Sequence, residues 1–167
     1  VYDWGIIILF IDITSIEIFY KVILFRDFFM HKTVQNLINI QNSIKSKKLE
    51  LEYNDRIPKI IAVSKTFKID HILPLIDYGH TDYGENKVQE AVEKWSDIKV
   101  KNKNIKLHLI GKLQTNKVKF AVKLFDFIHS LDSEKLAKKI AEEQVKQKIR
   151  PKIFIQVNIG IETQKSG

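Results

Sequence analysis

A lysine that ends an apolar run is the first place in this chain where chemistry can be read. Ile60-Ile61-Ala62-Val63-Ser64 leads directly into Lys65-Thr66. Such a run reads as a buried strand, and an amine at its mouth is expected to be partly desolvated, which favours the neutral form. A neutral amine can condense with an aldehyde to a Schiff base, and pyridoxal phosphate is the commonest biological aldehyde held in this way. A lysine that marks where a strand meets water would look the same from this run alone. Other polar residues also follow apolar runs: Glu85-Asn86, Gly111, Ser130 and Asn158. His108 falls inside one, where a hydrogen-bonded core histidine and a ligand contact are both open.

The elements that must position these residues repeat. An amphipathic helix is predicted from His31 to about Tyr53, with Val34, Leu37, Ile38 and Ile44 near one face. Pro58 turns into a first strand, Lys59–Ser64. A helix over 69–78 follows, with Pro74 in its first turn or at a kink and Gly79 at its end. Strands over 81–83, 106–110, 126–129 and 152–158 then alternate with helices over 87–97, 115–124 and 133–148. Thr115 or Asn116 is expected to cap the third of these four helices, and Ser133 the last. The last is expected to bury Leu136, Ala137, Ile140 and Val145. Asn86 at a helix start suits an N-cap as well as a ligand contact.

Strand midpoints recur about every 20 to 27 residues, the rhythm of a parallel βα sheet. Doubly wound sheets and eight-fold barrels share it. No G-x-G-x-x-G opens the first helix after a strand, so a dinucleotide site is not supported. Polar groups that follow strands occupy the end at which barrel proteins keep their sites.

Composition narrows the classes. The 167 residues are 44% hydrophobic and 29% charged, enough for one globular domain. Cysteine is absent, so there is neither disulfide nor thiolate metal site, and a reducing compartment is compatible. No second His, Asp or Glu stands at metal spacing from His108, and no metal is expected. The net charge of +8 admits nucleic acid, a membrane surface or a small phosphorylated ligand. The lysines are dispersed along predicted helices, without an arginine stripe or an aromatic RNA-binding motif. Solvated faces are their simplest reading, and no nucleic-acid partner is expected. Lys112 and Lys117, which flank Gln114, read as a solvated basic loop, and Lys165 as a solvated lysine or a further amine.

Residues 1–29 differ from the rest. They are crowded with Ile, Phe and Leu and carry four acids against two bases, so the chain's +8 becomes +10 over the remainder. The longest uncharged stretch there, Trp4 to Ile11, is far short of the ~20 residues that span a bilayer, and no signal-peptide pattern is present. The segment is expected to be a non-native or unstructured extension, with 30–167 as the domain.

The motifs become specific in combination. They are Ile61-Ala62-Val63-Ser64-Lys65-Thr66, Tyr83-Gly84-Glu85-Asn86 with Val88-Gln89-Glu90, His108-Leu109-Ile110-Gly111, Leu113-Gln114-Thr115-Asn116-Lys117, His129-Ser130-Leu131-Asp132, Gln156-Val157-Asn158-Ile159 and Lys165-Ser166-Gly167. In this order and spacing they resemble the pyridoxal phosphate homeostasis protein family, also called the proline synthase co-transcribed family, from about Met30 to Gly167. The resemblance implies an α/β fold: a partial (β/α)8 TIM barrel of alanine-racemase N-terminal type, with about five of eight βα units present. It implies a cytoplasmic, monomeric binder of pyridoxal 5'-phosphate without robust catalysis, with the cofactor on Lys65 and Asn86, His108 and Asn158 as further cofactor-binding residues. No catalytic residue is assigned. The family's phosphate-holding loops lie in the second half of the barrel and have no counterpart here. The competing expectations are a racemase-type enzyme, which needs a second acid or base opposite the lysine, and a nonfunctional fragment.

Overall fold

Strands joined by helices can pair side by side only in parallel, because each helix carries the chain back to the starting edge. In a computed structural model, which describes residues 30–52 and 57–160, the chain does this four times. Residues 1–29, expected to stand apart from the domain, lie outside the described residues, as do Lys165, Ser166 and Gly167.

The first element is α1, Lys32–Glu50, capped by the His31 ring, whose Nδ1 accepts from the Thr33 amide at 3.3 Å. Val34 and Leu37 are its buried residues. Next come β1 (Ala62–Val63), a 3₁₀ turn (Ile69–His71) and α2 (Leu73–Asp77), with Pro74 in the first turn, where its missing N–H costs nothing. Gly79, at φ +95°, closes α2: its amide reaches Ile76 O and that of His80 reaches Leu75 O, both at 2.9 Å.

The chain continues through β2 (Asp82–Glu85), α3 (Val88–Lys101), β3 (Lys106–Leu109), a 3₁₀ turn (Thr115–Lys117), α4 (Val118–Leu124), β4 (Phe127–Leu131), α5 (Glu134–Gln147) and β5 (Lys152–Ile155). The five strands lie in sequential order, all parallel. Consecutive helices α3, α4 and α5 touch one another, so they cover the same face.

Strand alternation decides what lies under that cover. Tyr83, Leu107, Leu109 and Ile128 are fully buried against Ala91, Trp95, Ala121, Val122 and Leu136 of the helices. Large apolar side chains buried in this way stabilise the fold by roughly 1.5–3 kcal/mol each. Residues of opposite parity form the second face of the sheet, where Val63 and Phe154 remain about half exposed.

Several boundaries differ from expectation. The first strand forms only at Ala62–Val63, because β2 is its one neighbour among the described residues. The fifth ends at Ile155, before Asn158. Neither Thr115 nor Asn116 caps α4; the 3₁₀ turn leads into it without a side-chain cap. Ser133 does cap α5, its side chain accepting from the Leu136 amide at 3.4 Å. Val145 is 73% exposed. The α5 stripe runs Leu136, Ile140, Glu143, a spacing of four then three, and Val145 falls on the far side.

Candidate functional site

Parallel strands place all their C-terminal ends on one edge of the sheet, and the candidate residues gather there. Lys65 stands two residues beyond β1, Asn86 directly follows β2, Gly111 stands two residues beyond β3, and Asn158 three residues beyond β5. Lys65 departs from the expected desolvation: its side chain is exposed. The chain turns at Lys65-Thr66, with the Phe67 amide donating to Ser64 O at 3.1 Å, so the backbone leaves the sheet there.

The backbone beneath Lys65 is held firmly. The Ser64 amide donates to Gly84 O at 2.9 Å, and its buried hydroxyl donates to Glu85 Oε1 at 2.7 Å. Glu85 is fully buried and points toward α3, because it shares strand parity with Tyr83, whose ring packs 4.8 Å from that of Trp95. Trp95 Nε1 donates to Glu85 Oε1 at 2.9 Å, and Lys94 Nζ lies 3.0 Å from the same oxygen. Lys94 also donates to Ser64 O at 2.7 Å. One carboxylate oxygen therefore fastens the end of β1, the end of β2 and the middle of α3. Glu85 Oε2 has no hydrogen-bond partner among the described residues.

Two glycines bring the loops together. A Cβ at Gly84 would meet Ile61, Ile110 and Val63 side-chain carbons at 3.2 to 3.5 Å. A Cβ at Gly111 would fall well inside contact distance of the Asn86 carbonyl, so only glycine lets the loop after β3 lie against the backbone after β2. Asn86 is half-buried there and is not a cap; Lys87 is the N-cap of α3, and it has no side-chain cap hydrogen bond.

His108 lies lower in the sheet. It is opposite Gly84 and Phe127 in the register, and Gly84 is opposite Val63, so His108 is level with a position two residues before Lys65. Its ring is buried and stacked on Phe127, centroids 4.2 Å apart. His108 Nε2 is 3.1 Å from Asp82 Oδ1, and Nδ1 is 3.0 Å from His129 Nε2. An ionised Asp82 accepts from His108 Nε2–H, and in the contact between His108 Nδ1 and His129 Nε2 one ring donates and the other accepts. His129 stacks on Phe154 at 4.5 Å.

Burial pushes the Asp82 carboxyl up, but hydrogen bonds from Thr81 and His108 and the Lys59 ammonium at 3.4 Å outweigh it and hold the group below the usual carboxylate range. Burial, reinforced by His108, lowers His129 below the ordinary imidazole value. Asn158 is half-buried, and its Oδ1 accepts from the Gly160 amide at 3.3 Å.

Lys65 and Asn86 thus share one end of the sheet, Asn158 follows β5 toward the same end, and His108 belongs to a layer beneath. Glu85, Asp82 and His129 carry the polar networks, and sequence reasoning assigns them no role. The available signal is an acid inside a strand: buried carboxylates need partners, so Asp82 and Glu85, at opposite parities of one short strand, imply donors on both faces. Among the described residues no three His, Asp or Glu side chains are arranged to hold a metal ion, and no helix is long and apolar enough to cross a membrane.

Comparison with known proteins gives consistent relatives. The chain is 38% identical over 133 residues to the pyridoxal phosphate homeostasis protein of Pasteurella multocida, covering 80% of this chain and 57% of that protein. It is 39% identical over 132 residues to the Haemophilus influenzae protein of the same name, covering 79% and 56%. Among solved structures it is similar to PipY, the COG0325 family member of Synechococcus elongatus, with pyridoxal phosphate (PLP) bound: TM-score 0.59, 34% identity, 71% of this chain and 56% of that one. The matches thus span a little over half the length of these relatives. No family model matches.

Proposed function

The chain is a homologue of the pyridoxal phosphate homeostasis proteins, and on that premise we propose that it binds pyridoxal 5'-phosphate through Lys65 and serves to hold the cofactor rather than to turn over a substrate. The carrying observation is the contrast at Lys65 itself: an exposed lysine, unpaired among the described residues, on a backbone fastened through Ser64 to the buried Glu85. When bound, pyridoxal 5'-phosphate supplies an aldehyde that condenses reversibly with a primary amine, releasing water. The residues present fit that group, since the amine is reachable and its base is fixed.

The other roles are carried by this chain's own residues. Asn86, set against Gly111, offers an amide at the wall beside Lys65. Asn158 offers a second from the segment after β5. His108 has both ring nitrogens engaged, so it contributes its ring face and its hold on His129 rather than a free nitrogen. The sequential strand order, with consecutive helices on one face, supports the first five units of a (β/α)8 barrel over a doubly wound sheet, whose strand order reverses at a switch point. A monomer in the cytoplasm is the matching setting.

Borohydride reduction in the presence of pyridoxal 5'-phosphate, followed by peptide mass mapping, tests the attachment point. A label on Lys65, lost together with the visible absorbance in Lys65→Ala, is expected. A label on other lysines with Lys65 unmodified would overturn the assignment.

A further inference from the structure

The loops after β2 and β3 meet where Gly111 packs on Asn86, and a cavity of about 370 Å³ opens between them. Its polar lining residues are Asn86, Lys87, Gln89, Lys112, Gln114 and Lys117, three lysines and three carboxamides, and no carboxylate among the described residues lines it. Val88 adds an apolar wall. The segment that carries Lys112 and Lys117 is anchored at both ends, since Leu113 and Val118 are buried in the core. The backbone that carries these two lysines is therefore fixed beside the cavity by the fold.

The charges are unbalanced. Lys87 pairs with Glu90 at 2.6 Å across an exposed contact, but Lys112 and Lys117 make no ion pair among the described residues. The cavity therefore presents a surplus of about two positive charges. Like charges gathered on a rigid frame repel, and an anion that enters relieves the repulsion. A phosphate monoester carries about −1.5 to −2 near neutral pH and three acceptor oxygens, which matches both the surplus and the amide donors. Lysine serves as a point-charge phosphate binder.

We infer that this cavity is a binding site for phosphate monoesters, separate from the amine at Lys65 and sharing with that site only the Asn86 wall. It does not rest on the Lys65 reading, because no step of it uses that amine. The sources of the shared chemistry, inorganic phosphate and a phosphorylated small molecule, are distinguished by the arms of the test.

The test is an amide NMR titration of the full chain carrying Lys65→Ala, at constant ionic strength, with inorganic phosphate, pyridoxal 5'-phosphate and unphosphorylated pyridoxal. Saturable shifts at Lys112, Gln114 and Lys117 are expected with both phosphates and not with pyridoxal. Tighter binding of pyridoxal 5'-phosphate than of inorganic phosphate would assign the site to the phosphorylated small molecule, and equal affinity to the phosphate group alone. Lys112→Gln with Lys117→Gln should weaken binding by about tenfold or more, with unchanged thermal unfolding as the folding control. Glu90→Gln, which frees Lys87, should strengthen it. Unsaturable shifts, or equal affinity in the double glutamine variant, would overturn the inference. Loss of the Lys65 borohydride label with this titration intact would sink only the covalent reading.

Discussion

Asp82 and Glu85 stand three residues apart on β2, and each meets a lysine, yet the two environments are opposites. Glu85 faces the helices with no exposure, and its Lys94 partner is 13% exposed. Asp82 faces the other side of the sheet, where its Lys59 partner is 58% exposed and two imidazoles complete the network. Strand parity alone makes this division. It teaches that one short strand can carry a structural lock on one face and a titratable chain on the other. The lock lies under Lys65, where position matters; the titratable chain lies among aromatic rings in the layer beneath.

The largest effect is expected at the lock. Removing one member of a buried ion pair leaves the other charge uncompensated, at a cost of about 3–5 kcal/mol. Glu85→Ala strands Lys94 and deprives Ser64 and Trp95 of their acceptor together. Urea unfolding should show a loss of that order, and Lys94→Ala a comparable one. Glu85→Gln should cost less, because an amide oxygen can still accept from Ser64 and Trp95. If Glu85→Ala costs under about 1 kcal/mol, the exposed-pair range, the contrast between the two acids collapses.

A medium effect is expected at the titratable chain, and its sign follows from the shifts. His129 is lowered by burial and by His108, so below the ordinary value near 6.5 the unfolded chain takes up a proton more readily than the folded one. Stability should fall as the pH drops through about 6.5 and onward through the lower folded value. Asp82 is also lowered, so its contribution is present above about 3.9 and is lost below it. His80, lowered by burial against the pull of Asp82, acts in the same window as His129. Denaturation midpoints measured across this range should fall in two stages. His129→Gln should shrink the first stage, and His80→Gln part of the remainder. A first stage unchanged in both variants would break the assignment.

Much of this arrangement is legible in the sequence, and the rest is hidden for physical reasons. Apolar runs, Gly79 and Pro74 mark the alternation, because they report local geometry. The two-residue length of β1 and the exposure of Lys65 do not show, since burial of a run depends on neighbours at both sides. The grouping of Lys65 with Asn86 follows from parallel strands alone. The networks do not: the partners of Glu85 stand 9, 10 and 21 residues away, and Asp82 reaches His108 across 26. Val145 is misplaced by periodicity because Glu143, bonded to Gln147, takes the buried turn of α5 instead.

The smallest effect sharpens the comparison most. Lys59 and Lys94 carry the same charge and contact acids of the same strand, so Lys59→Gln is the matched control for Lys94→Gln. Lys59 keeps most of its surface in water, where an ion pair is screened and contributes about 0–1 kcal/mol. Asp82 also retains Thr81 and His108 as donors when Lys59 is gone. Lys59→Gln should therefore change stability near neutral pH by no more than ~1 kcal/mol, while moving the acid stage of unfolding upward, since one of the groups that lower Asp82 is removed. Adding salt should reproduce part of that shift in the parent chain and little of it in the variant. A Lys59→Gln loss equal to that of Lys94→Gln would mean that exposure does not separate the two faces of β2.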